Sequence, residues 1–269
     1  MTRQNRTILS IAIKVTLVVL AFWFIIKKVS DNQDLGKFVT YARGLPNAEI
    51  TLLLTMLIGL MFVNWGIEVV KWRRVVERVE RISIWKSVQS VFCGLTLAVF
   101  TPNRIGEYGG RVFFLSPKRR IVGIVAMAIG GLGQMITTNV FGALAICGFV
   151  YKFIDLDYRL FYAIALLAVF FCIFLLVFYF NISWIKGFLT SFRFTKKYQK
   201  FYAILGRYTK RELLTLLLMG LARYVVFSTQ YLILVHWLVP GLYLGDVIMM
   251  VSILFFIQSS LPSLNLFDV

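Results

Sequence analysis

Residues 88–111, from Val88 to Arg111, read VQSVFCGLTLAVFTPNRIGEYGGR. The stretch from Val88 to Thr101 is an apolar run of 14 residues closed by Pro102. As a helix it covers roughly 21 Å, against a hydrocarbon core of about 30 Å, so it is expected to enter a bilayer and return, not to cross it. A polar turn follows, with the pattern Pro-x-Arg-x-Gly-Glu-x-x-x-Arg over Pro102, Arg104, Gly106, Glu107 and Arg111.

Pro102 suits the first turn of a following helix, where its missing N–H costs nothing. On that helix Arg104, Glu107 and Arg111 fall at i, i+3 and i+7, so one carboxylate sits between two guanidinium groups on one face. With a helix N-terminus beside it, this is an anion site in the making. A simpler role is open too, with Glu107 neutralising an arginine at a membrane surface.

The rest of the chain sets the class. It is 59% apolar and 16% aromatic, with 15% charged residues against about 25% in a soluble domain, which marks an integral membrane protein. The net charge of +17 lies in short loops between apolar runs, as in the cytoplasmic loops of membrane proteins, so nucleic acid is not expected as a partner. Cys93, Cys147 and Cys172 sit in apolar runs without Cys-x-x-Cys spacing and read as packed thiols. His236 is the only histidine, which leaves no Ser-His-Asp constellation and no zinc site to propose. No cofactor is expected.

Five segments are long enough to span: Ile8–Ile26, Ile50–Val70, Ile121–Val150, Leu160–Phe180 and Leu213–Val239. The second ends on Asn64 and Glu68, and Glu68 one turn before Lys71 and Trp72 reads as an interfacial ion pair. From Lys71 to Lys86 the chain is basic with interleaved Val, Ile and Trp, the pattern of a helix lying on the membrane surface. Gln134 and Asn139, in a segment rich in Gly and Thr, either join helices or line a polar cavity. Arg223 is about three turns into its span, where a guanidinium faces a partner or a wet cavity unless it snorkels to the interface. Asp155 and Asp157 form an Asp-x-Asp pair in a short loop, best read as solvated.

Leu242 to Pro262 repeats the 21-residue spacing of Ile82 to Pro102, with a second apolar run, Val247 to Ser260, and a later acid, Asp268. If Val88–Thr101 is re-entrant, segments on the N-terminal side of the membrane hold 21 Lys and Arg and the opposite side holds 6. If it crossed, loops holding 5 and 8 of these would move outside and the bias would vanish. The positive-inside rule therefore selects two re-entrant helices entering from opposite faces, an inverted repeat over about 50–120 and 212–269, with the N-terminus cytoplasmic.

The run Phe100-Thr101-Pro102-Asn103-Arg104-Ile105-Gly106-Glu107, with Arg111 and Leu115, resembles the Pro-x-Arg-x-Gly-Glu-x-x-x-Arg motif of the flippase-like family, the transmembrane region of lysylphosphatidylglycerol synthases. Leu261-Pro262-Ser263 is similar to that family's second proline motif. The resemblance implies movement of phospholipids or polyprenyl-linked lipids between leaflets of a bacterial inner membrane, with headgroup or phosphate contact by Arg104, Glu107 and Arg111. Where the family often carries an acidic residue and an arginine in the next helix, this chain has Gly133-Gln134. Its soluble aminoacyl-transferase domain is not represented, so lipid aminoacylation is not expected, and Val269 falls inside a family motif.

The expectation is thus an all-α integral membrane protein, a multi-spanning helical bundle forming one membrane domain over 1–269. It binds and translocates an anionic lipid through Pro102, Arg104, Glu107, Arg111, Arg223, Gln134 and Asn139, with self-association left open. The alternative is a membrane-embedded transferase acting on a lipid phosphate, with Glu107 as general base.

Overall fold

The computed structural model describes residues 46–101, 104–191, 199–239 and 241–260. Two compact units divide the chain, Met1–Met56 and Leu57–Val269, and the described part of the first is the opening of helix α1. In order, the described helices are α1 (Asn47–Val76), α2 (Ile84–Val99), α3 (Ile105–Val112), α4 (Arg120–Phe153), α5 (Tyr158–Phe180), α6 (Ser183–Ser191), α7 (Gln199–Tyr202), α8 (Lys210–Leu238) and α9 (Leu244–Ser260). Short 3-10 turns at Pro117–Arg119 and Ala203–Arg207 complete them, and no strand occurs among the described residues.

Four stretches, Ala48–Val76, Pro117–Phe153, Tyr158–Phe180 and Lys210–Leu238, are long and apolar enough to cross a membrane. They match four of the five expected spans, and the fifth, Ile8–Ile26, lies outside the described residues. Of α5 only Tyr179 is buried, while Leu166, Leu167 and Phe170 stand outward, as on a helix that faces lipid.

The segment expected to lie on a membrane surface does something else. Helix α1 runs on through Lys71 to Val76, and Trp72, Val75, Val76 and Ile82 enter the core beside Val91, Ile129, Leu213 and Leu216. Its apolar residues recur at helical spacing because they face protein. Tyr208 from the turn before α8 donates its hydroxyl to Val75 O at 2.6 Å, which satisfies that carbonyl near the end of α1.

Helices α2 and α3 form an antiparallel hairpin. Ser83 caps α2 by accepting from Lys86 N (3.2 Å), so the helix starts before the purely apolar run and spans 16 residues, about 24 Å. At its far end the Thr101 hydroxyl donates to Leu97 O (3.0 Å) and accepts from Gly106 N (2.7 Å), joining the end of one helix to the start of the next. Arg104, which precedes α3, has a left-handed backbone with φ 56°. The two helices touch through backbone: a methyl on Gly110 would lie 2.6 Å from Gly94 Cα, and one on Gly106 2.3 Å from Leu97 O. Ser87 donates to Val69 O and Ser90 to Arg111 O, each at 2.8 Å, fixing α2 to α1 and α3.

Both ends of this hairpin reach the same end of the second unit. Glu80, before α2, accepts from Ser116 N after α3 (3.0 Å), and Arg119 donates to Val79 O (2.8 Å). Arg78 reaches Glu212 at 2.7 Å, where Thr209 and Glu212 form the capping box that opens α8. Three basic segments thus gather there. Helix α9 runs antiparallel to α4, with Phe256 against Gly142, Asn139 bonded to Ser259 and Ser260, and Lys152 paired with Asp246 (2.5 Å). The residues after Ser260, including Pro262 and Asp268 of the expected repeat, lie outside the described residues.

Candidate functional site

A buried carboxylate, Glu68 on α1, gathers three cations. Its Oε1 accepts from Arg111 Nη1 of α3 at 2.5 Å, and its Oε2 is bound by Arg223 Nη1 of α8 and by Lys71 Nζ at 2.7 Å. The side chains of Glu68, Lys71 and Arg111 are 6%, 6% and 2% exposed, so these are enclosed pairs and not interfacial ones. Enclosed charges are held only where they are matched and hydrogen-bonded, and here the partners come from α1 itself, α3 and α8.

Glu107 forms the second node. Its Oε1 is bound by Arg111 Nη2, one turn on, and its Oε2 lies 3.1 Å from Arg104 Nη2. The carboxylate therefore sits between the two guanidinium groups of the sequence motif, with Arg111 shared by both nodes. Pro102 lies outside the described residues.

Neutral side chains complete the set. Gln134 Oε1 on α4 accepts from Arg223 Nη1 (2.8 Å) and Lys71 Nζ (3.2 Å), and Asn64 Oδ1 accepts from Arg223 Nε (2.7 Å). Gln134 itself is neutral. The amide oxygen orients the two cations without cancelling them. Arg223 does not snorkel to an interface, because Glu68, Asn64 and Gln134 hold its guanidinium inside the protein. Asn139 is placed differently: it donates to Met135 O (2.8 Å) and bonds α9, joining helices behind the cavity wall that Thr138 and Ser259 help form.

These groups line a cavity of about 640 Å³ within the second unit. Lys71, Arg104, Arg111 and Arg223 line it together with the Glu68 and Glu107 they bind, while Phe227, Tyr231 and Phe255 supply an aromatic wall. Two N–H donors beside it, Trp72 Nε1 and Arg111 Nε, are buried without an acceptor among the described residues. The arrangement has a surplus of positive charge and of donors, which is the chemistry of anion binding.

Sequence reasoning missed Glu68 as the hub. Its signal was the spacing Asn64, Glu68, Lys71 and Trp72, at i, i+4, i+7 and i+8, a polar stripe on one face of a spanning helix. Asp157 of the Asp-x-Asp pair caps α5 by accepting from Arg159 N (2.8 Å), at the opposite end of α4 from the hairpin.

Fold and site together define a class: an all-α protein with four helices of membrane-spanning length and a charged internal cavity, the character of an integral membrane protein. Compared with protein-family models, curated proteins and solved structures, the chain matches none.

Proposed function

We propose that this protein binds the anionic headgroup of a phospholipid or polyprenyl-linked lipid in the cavity around Glu68 and Glu107, and carries it between leaflets. The observation that carries this reading is the unequal number of charges on the cavity wall, four cations against two carboxylates, in a protein with four spans. Aromatic residues along the same wall suit the apolar part of such a molecule. The sequence motif resembling the flippase-like family supplies Arg104, Glu107 and Arg111 of this wall.

In this reading α2 and α3 form a hairpin that enters the membrane and returns. Support comes from Glu80 and Ser116 meeting at its base and from the 16-residue length of α2, too short for a bilayer. The basic segments gathered at that end are then cytoplasmic, in a bacterial inner membrane. Binding without chemistry is favoured over group transfer because both oxygens of Glu107 are engaged by guanidinium groups, which suits a bridge better than a general base.

The test is to purify the chain with native lipids and identify the co-purifying species by mass spectrometry, beside Arg111→Gln and Arg223→Gln. A phosphate-bearing lipid enriched with the wild-type protein and depleted in folded variants is the expected result. Equal lipid profiles for all three would refute the proposal.

A further inference from the structure

The charges that face the cavity do not cancel, and their placement says what would cancel them. Glu68, Lys71 and Arg111 are enclosed and Arg223 and Glu107 are half-buried beside them, and this inner set leaves one positive charge. Arg104, with a side chain 64% exposed, adds another at the rim. A ligand that satisfies this wall brings about two negative charges and several acceptor oxygens.

Resting on the lipid-binding reading above, we infer that the cavity selects a terminal phosphomonoester, not the phosphodiester of an ordinary membrane phospholipid. A phosphomonoester carries about −1.5 to −2 charges near neutral pH and three acceptor oxygens. A phosphodiester brings one negative charge, which offsets the enclosed surplus and leaves Arg104 unmatched at the rim. A zwitterionic headgroup leaves the whole surplus in place, and the enclosed part of it is costly to leave unmatched.

The inference is tested with the full purified chain in detergent, by the fluorescence of Trp65 and Trp72, which both line the cavity. The probes are dioctanoyl phosphatidic acid, dioctanoyl phosphatidylglycerol, dioctanoyl phosphatidylcholine and inorganic phosphate. At pH 8 phosphatidic acid should bind on the order of tenfold more tightly than phosphatidylglycerol, a difference of about 1.4 kcal/mol. The gap should shrink at pH 5.5, below the second phosphate pKa of about 6. Arg104→Gln should weaken phosphatidic acid more than phosphatidylglycerol.

Equal binding of the two anionic lipids at pH 8, both weakened by Arg223→Gln, would overturn the monoester inference and leave the lipid site standing. Inorganic phosphate binding as tightly as phosphatidic acid would keep the monoester chemistry and overturn the lipid reading. If no anion binds above phosphatidylcholine, both fail.

Discussion

Replacing Glu68 by glutamine removes the one carboxylate that Lys71, Arg111 and Arg223 share. Lys71 and Arg223 then lack their counter-charge and Arg111 keeps only Glu107, and breaking a buried pair in this way costs about 3–5 kcal/mol. Glu68→Gln should therefore lose folded yield and thermal stability far more than Glu107→Gln, whose carboxylate is nearer solvent. Thermal melts in detergent decide it, and equal losses would remove Glu68 from the centre of the network. Arg104 behaves in the opposite way. Its left-handed backbone costs an L-residue roughly 1–2 kcal/mol, while its exposed bridge to Glu107 returns about 0–1 kcal/mol. Arg104→Gly is expected to raise the melting temperature slightly while weakening anion binding. A fall in melting temperature would show that the bridge outweighs the backbone.

The α2–α3 hairpin depends on three missing side chains. A methyl on Gly110 meets Gly94 backbone on the facing helix, which cannot step aside, so Gly110→Ala should cost about 1–3 kcal/mol by overpacking. Gly109→Ala, with open space around it, is the control and should be neutral or better. At the hairpin base, the backbone N–H of Ser116 and then the Lys86 ammonium hold the Glu80 carboxyl below its ordinary value of 4.5. A lowered carboxyl contributes stability above its unfolded pKa and loses it as pH falls through the folded value. The stability difference between wild type and Glu80→Gln should thus be constant near neutral pH and close below about pH 4, where the reference carboxylate is protonated. A pH-independent difference would show that the Ser116 bond does not sense the charge.

This hairpin also shows what could be read in the sequence. The 14-residue run and the Arg104, Glu107, Arg111 spacing located two short helices and one ionic face, because length and period are local properties, although the second helix starts only at Ile105 with Arg104 before it in a left-handed backbone. The partners of that face were not local. Glu68 and Arg223 meet across 155 residues, and only the packing of α1 on α8 reveals that an apparent interfacial pair is a buried hub. Gly94 and Gly110 were silent for the same reason: a glycine in an apolar run does not announce which backbone approaches it. The Lys71–Lys86 segment misled because apolar residues at helical spacing look alike whether they face lipid headgroups or a protein core.

At the scale of the molecule, the bonds from Glu80 to Ser116 and from Arg78 to Glu212 bring three basic segments to one end. Single-cysteine variants at exposed Arg81 and Lys118 should then react with a membrane-impermeant thiol reagent from one side of the membrane. Asp155→Cys should react from the other. Each is made in a background whose Cys93, Cys147 and Cys172 are replaced by serine. Labelling of Arg81→Cys and Lys118→Cys from opposite sides would mean that α2 crosses. The same architecture constrains how the protein is made. Helix α1 leaves the ribosome carrying Asn64 and Glu68 long before Arg223 has been synthesised, and until α8 arrives its carboxylate has only Lys71 and Arg111 to meet. A nascent chain halted before residue 210 would therefore hold Asn64 without its hydrogen-bond donor and Glu68 without its third one inside a spanning helix, exposed to quality-control proteolysis until Arg223 arrives.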